Sequence, residues 1–405
     1  MDEQCAADAG PAAASVANRG AEPAEARSAR GRGVPLPLCG ALIYAGIRAL
    51  GYAIAAFLLP RGRFEQLHYS LWHLISSWDS GRYLIIAAHG YSYIPGDLRH
   101  DVIYAWFPGY PAAIDTIAWA LGAAHAALAV TLAAGCAAAW GLTRLGMTLT
   151  GDRRVSLLMP ALWGAAPGSI VLSMLYSEAL FCALAVWALV ALAERRWLTA
   201  AVFTTLAGTV RSAAMALIAA VAVASIAALV RAARARQPFS AWWRPAAGLL
   251  LSPLGMLGWW AYTARSLHRA SGWFWVESIT HLSFDWGRST AHALRVAVID
   301  GPTAAEALTL LVLAAAVTLT GCVLAERIPL GLKVYTLLVV AIALATGPYF
   351  FGSKPRFLLP AVLLALPPGR LLAPLRTWVL IPLIVVLAAA SAWFGIYIMT
   401  VGWAP

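Results

Sequence analysis

From Leu38 onward the chain returns repeatedly to uncharged apolar runs of about 18–25 residues, the length an α-helix needs to cross a hydrocarbon core. Hydrophobic residues make up 61% of the 405 residues and charged ones only 12%. A soluble fold of this size cannot hide that much apolar surface. Inside a bilayer every backbone N–H and C=O must be paired within the chain, and runs of this length do so as helices. The expected fold class is therefore an all-α polytopic membrane protein. The net charge of +11 then reads as topology rather than as nucleic-acid binding, because Lys and Arg collect in cytoplasmic loops.

The order of runs and basic clusters gives an expected architecture. Residues 1–33 have no apolar run, do not resemble a cleavable signal peptide, and are expected to be a disordered cytoplasmic tail. Residues 34–405 form one transmembrane domain. Spans are expected at 38–59, 126–147, 155–175 and 179–193. The run 197–231 is twice a membrane thickness and is expected to cross twice, turning near 209–212. Further spans are expected at 246–264, 304–324, 331–351, a short one reaching Pro367, and 378–399. Segment 112–125 is apolar but short, holds Asp115, and is expected to be re-entrant. This gives about eleven crossings, with the N-terminus in the cytoplasm and a first outer loop (60–111) and a second outer loop (265–301) on the other face. Only Lys333 and Lys354 are lysines among 29 basic residues, and this Arg bias on an Ala-rich background points to a GC-rich bacterial genome.

The first outer loop interleaves Asp79, Asp97 and Asp101 with Arg82, Arg99, His89 and His100 among Trp and Tyr residues. With the expected topology, Glu178, Arg211, Lys354 and Arg356 come to the same face. A carboxylate there can take a proton from a hydroxyl, and fixed cations can stabilise a leaving phosphate. If Trp78 to Tyr83 is helical, Asp79 and Tyr83 share one face, and Trp78 can stack on a sugar. Plainer readings stand beside these. The loop can be an interfacial helix with an Asp79–Arg82 pair, and Glu178 can sit in a cap led by Ser177. Arg211 can pair with a neighbouring carboxylate, and Lys354 and Arg356 can snorkel. The second-loop tryptophans can form an aromatic belt. The histidines and cysteines show no metal-ligand spacing, although Asp97 and Asp101 leave a divalent metal open.

The blocks Trp78-Asp79-x-x-x-Tyr83, Ile86-Ala87-x-x-Gly90-Tyr91 and Phe107-Pro108-x-Tyr110-Pro111 resemble the first luminal loop of the PIG-V family. Tyr176-Ser177-Glu178-Ala179-Leu180-Phe181 matches its second block. Gly208-Thr209-Val210-Arg211-Ser212 resembles its third, with Ala213-Ala214 where an Asn-Gly is expected, and Pro355-Arg356-Phe357-x-x-Pro360 resembles its late loop. The resemblance implies a GT-C glycosyltransferase-like transmembrane bundle whose large first outer loop carries interfacial helices. It also implies transfer of a sugar, mannose in this family, from a polyprenyl-phosphate donor on the outer face of the cell membrane.

The expected reaction is an inverting single displacement onto a hydroxyl of a glycan, glycolipid or protein acceptor. Asp79 and Glu178 are the expected catalytic residues. Arg82, Arg211, Lys354, Arg356, Trp78, Tyr83, Asp97, His100 and Asp101 are the expected donor-phosphate or substrate residues. No glycine-rich nucleotide loop is visible, and the scheme requires no metal and no other cofactor. A transporter or flippase of a lipid-linked sugar is the alternative. It would place charges along a mid-membrane path and often show repeated halves.

Overall fold

In the computed structural model, residues 34–400 are described except 62–64, 66–69, 93–99, 281–283 and 348–350. The expected tail, Asp97 and Arg99 fall outside the described residues, as do the side chains of His100 and Asp101.

The described chain is helical throughout. In order it forms α1 (Leu36–Leu58), α2 (Leu71–Ser76), α3 (Asp79–His89), α4 (Gly109–Leu121), α5 (Ala123–Thr150), α6 (Arg153–Gly164), α7 (Glu178–Ala193), α8 (Trp197–Gly208) and α9 (Ala214–Arg234). It continues with α10 (Phe239–Leu251), α11 (Leu254–Ser266), α12 (Gly272–Ile279), α13 (Arg288–Ile299), α14 (Ala304–Ala325), α15 (Leu330–Ala345), α16 (Lys354–Phe357), α17 (Leu366–Leu372) and α18 (Thr377–Thr400). Five of these, α1, α5, α9, α14 and α18, are long and apolar enough to cross a membrane, so the protein is a multi-pass membrane protein.

α5 is the hub, packing on α1, α4, α6 and α7. Its buried face is made of small residues, among them Ala127, Thr131, Ala134, Gly135, Ala138, Ala139 and Gly141. Small side chains let helices approach closely where lipid offers no hydrophobic drive. The helix stops at Gly151, whose φ of +68° is the left-handed cap only glycine adopts cheaply. Asp152 then accepts from the N–H groups of Arg154 and Val155 to start α6.

Several expected elements hold and others break. α4 has 13 residues, about 20 Å at ~1.5 Å per residue, short of the ~30 Å core. The double run turns between α8 and α9 at 209–213, as its Arg-Ser interruption suggests. The span expected at 155–175 is not one helix. α6 ends at Gly164, and Pro167 and Gly168 (φ +80°) lead into a 3-10 turn, Ser169–Ser173. Proline disfavours helix in the residue before it, and the left-handed glycine reverses the chain. Likewise 246–264 is two helices, α10 and α11, parted at Ser252-Pro253. The short span reaching Pro367 is a buried series of 3-10 and short α turns between 351 and 372.

Broken helices leave carbonyls without partners, and in this fold an arginine supplies them. Arg48, midway along α1, is only 6% exposed. Its Nη1 donates to the Ser169 carbonyl at 2.6 Å and to Ser173 Oγ at 3.2 Å. Its Nη2 donates to the Gly164 carbonyl and to Ser169 Oγ. The charge is thus spent on the backbone that the interrupted helix exposes.

Candidate active site

The site begins at Trp78, a bulky residue with φ +58° at the start of α3. Non-glycine residues in that half of the map carry strain of ~1–3 kcal/mol and cluster where function re-aims the chain. The next residue is Asp79. Its N–H donates to Tyr176 Oη at 3.2 Å, which ties the start of α3 to the chain just before α7.

Asp79 Oδ2 accepts from Arg356 Nη2 at 3.0 Å. Arg356 is 9% exposed and lies over the Tyr176 ring. Its Nε is 3.7 Å from Glu178 Oε1, and the same oxygen is 2.8 Å from Arg211 Nη1. Arg211 also donates to Ser177 Oγ at 3.1 Å, and that hydroxyl meets Tyr83 Oη at 2.7 Å. Two carboxylates and two guanidiniums from four distant stretches thus form one balanced network. Glu178 opens α7, where the helix dipole also favours a negative group.

A cleft of about 980 Å³ stands over this network, lined by Asp79, Tyr83, Trp106, Arg211, Glu277 and Arg356, with Val339 and Ile342 of α15 on its apolar side. Gly109 lets the start of α4 close against the 209–213 turn. Its N–H reaches the Thr209 carbonyl at 2.7 Å, and a Cβ there would stand 2.6 Å from Thr209 Oγ1. At Gly168 a Cβ would stand 2.8 Å from the Arg356 backbone nitrogen, so the glycine is what allows the broken helix to abut the Arg356 turn.

The expected residues separate in three dimensions. Asp79, Tyr83, Arg211 and Arg356 come together. Glu178 sits beneath the cleft, 1% exposed, holding both arginines. It does not itself line the cleft. Ser177 spends its hydroxyl on Tyr83 and Arg211 and makes no cap bond. Lys354 is fully buried and donates to the carbonyls of Ala343, Leu344 and Thr346 at the end of α15, with Nζ distances of 3.1, 3.1 and 2.6 Å. In this structure the ammonium is turned to the backbone and lies outside the cleft lining. Arg82 lies over the Trp106 ring, outside the cleft lining, and Trp78 is 40% exposed beside it. The pairing open for Asp79 with Arg82 is made with Arg356. Among the described residues no group of three or more His, Cys, Asp or Glu could hold a metal ion.

Two residues were missed in the sequence. Glu277 of α12 lines the cleft; a lone acid just after the aromatic stretch from Trp273 to Trp275 was its signal. Arg48, inside an apolar run, was the other. The second-loop tryptophans divide. Trp273 is buried, stacked on Trp260 and edge-on to Phe107, while Trp286 is 82% exposed.

On the far side of the segment from 355 to 361 lies a second, almost wholly apolar groove of about 1090 Å³. It is lined by Trp163, Leu311, Leu319, Pro355, Leu358 and Leu359, among others. Arg356, Phe357 and Pro360 of the same segment face the cleft.

The model of the family described as mannosyltransferase (PIG-V) matches residues 60–278. Over 166 residues the chain is 31% identical to GPI alpha-1,6-mannosyltransferase 2 of Mus musculus, a match covering 38% of this chain and 32% of the mouse protein. It thus spans about a third of that curated relative. The fold is similar to the crystal structure of ArnT from Cupriavidus metallidurans bound to undecaprenyl phosphate, with a TM-score of 0.52 and 15% identity, covering 83% of this chain and 60% of that one. That likeness shows the GT-C fold.

Proposed function

The chain belongs to the PIG-V mannosyltransferase family, and from that premise and the geometry of the cleft we propose that it transfers a sugar, mannose, from a polyprenyl-phosphate donor to a hydroxyl acceptor on the outer face of the membrane. The observation that carries the reading is the Asp79–Arg356 pair at the cleft, with Arg211 and Glu178 behind it. The mouse relative's name supports mannose, and the neighbouring structure's bound undecaprenyl phosphate supports a polyprenyl donor.

The donor phosphate meets Arg356 and Arg211, and the apolar groove across the 355–361 segment takes the lipid chain. Phosphate competes with Asp79 for the Arg356 guanidinium. An ion-paired carboxylate is a poor base because its lone pairs are occupied, so donor binding releases Asp79 for its task. The acceptor hydroxyl oxygen then attacks the sugar's anomeric carbon from the face opposite the phosphate. The carbon–oxygen bond to phosphate breaks, its electron pair leaves on polyprenyl phosphate, and Asp79 takes the hydroxyl proton. The anomeric configuration inverts. Arg356 and Arg211 bear the charge of the leaving phosphate, and Glu178 fixes the two guanidiniums in place. This scheme asks for no metal ion.

The test is a transfer assay on purified protein in lipid, with polyprenyl-phosphate mannose labelled in the sugar and a membrane and wall extract as acceptor. Label moves to product with wild type and not with Asp79→Asn. Undiminished transfer by that variant removes Asp79 as the base.

A further inference from the structure

Among the described residues, Glu277 is the one carboxyl in the cleft lining that the reaction above does not use. It projects from α12, a helix that is anchored firmly. Gly272, Trp273 and Val276 are buried, and Trp273 stacks on Trp260 with ring centroids 5.4 Å apart. Trp273 and Glu277 are one helical turn apart, so the packing that fixes the first aims the second. Among the described residues the Glu277 carboxyl makes no hydrogen bond or ion pair; Thr280 Oγ1 donates to its backbone carbonyl, not to the carboxyl. Asp79, by contrast, is engaged by Arg356.

A partly buried carboxyl without a partner costs free energy unless a ligand completes it. The surroundings narrow that ligand. Among the described residues no third acidic or imidazole group stands near enough to make a cation site. A phosphate would meet a like charge whenever Glu277 is ionised. Burial pushes its pKa up to about 7, with Arg211 opposing, so near neutrality the group both donates and accepts hydrogen bonds. A neutral hydroxyl suits both forms. We propose that Glu277 is a carbohydrate-binding residue, its carboxyl hydrogen-bonding a hydroxyl of a sugar held in the cleft, on the donor or on the acceptor. The inference rests on the reading of the cleft as a sugar-transfer site.

The experiment compares wild type, Glu277→Ala, Glu277→Gln and Arg356→Ala, each reconstituted in lipid nanodiscs. Equilibrium binding is measured for polyprenyl-phosphate mannose and for bare polyprenyl phosphate, and apparent KM for the glycolipid fraction of a membrane extract. If the contact is to the donor sugar, Glu277→Ala weakens the mannose-bearing lipid about tenfold and leaves the bare lipid unchanged, and Glu277→Gln restores part of the loss. If it is to the acceptor, both lipids bind as in wild type and the apparent KM rises about tenfold at constant kcat. Unchanged values in both arms, with Arg356→Ala losing the bare lipid, overturn the assignment of Glu277 alone. Wild-type lipid binding by Arg356→Ala overturns the site reading and takes the Glu277 assignment with it.

Discussion

Two buried arginines face opposite tasks. Arg48 and Arg356 are both buried, and both lie against irregular chain inside a helical bundle. Arg48 is surrounded by neutral oxygens of its own backbone and serines, none of which can leave. Arg356 is held by two carboxylates and opens on a cleft. One of those carboxylates, Asp79, is 31% exposed and can be displaced by an incoming anion. A buried charge whose partners are fixed serves the fold, and one whose partner can be exchanged serves a ligand.

Substitutions can break that comparison or sharpen it. The largest effect is expected from Asp79→Asn. Loss of a general base should slow transfer about 10³-fold, about 4 kcal/mol on the barrier. Lipid phosphate should bind at least as tightly, because Arg356 loses its competitor; a transfer assay beside a binding isotherm reads both. Arg48→Leu should remove the guanidinium donor from the Ser169 carbonyl, leave the Gly164 carbonyl only the Ser169 hydroxyl, and lower stability by about 3 kcal/mol. The fraction that still folds should turn over like wild type, so unfolding curves and activity per folded molecule would separate. A proportional loss of specific activity in the folded fraction would show that Arg48 is not purely structural.

Arg356→Lys keeps the charge but not the planar fork. Donor affinity should weaken about 30-fold, about 2 kcal/mol, with little change in melting temperature. The smallest effect concerns Glu277. Its folded pKa of about 7 lies above the unfolded 4.5, so the native state holds the proton more tightly. Its contribution to stability is complete below about pH 4.5 and is lost as pH rises through about 7. Wild-type melting temperature should therefore fall over that window relative to Glu277→Gln, whose profile lacks that component.

Much of this was readable along the chain. Asp79 and Arg211 stand out because charge interrupts apolar or aromatic runs, and membrane placement makes such charge costly. The 209–213 turn followed from basic clusters at both ends of a double-length run. The break at Gly168 was hidden because Ala165 to Leu175 carries no charge, and hydropathy outweighs the Pro-Gly pair unless the carbonyls are accounted for. Lys354 looked like a cleft residue because its neighbour Arg356 is one; only the end of α15, folded back on it, engages its ammonium. Glu277 carries no motif at all. Its place in the cleft comes from aromatic packing between Phe107, Trp260 and Trp273, contacts that no local window contains.

The pairing of Arg356 with Asp79 spans 277 positions, whereas Arg48 precedes the Ser169 carbonyl it satisfies by 121. During synthesis the structural arginine is already made when its acceptors emerge. The first-loop aspartate, by contrast, waits for a guanidinium made 277 positions later. An unfinished chain therefore holds Asp79, Glu178 and Arg211 before the residue that joins the two carboxylates has been made. The late segment acts as a completion check on that network.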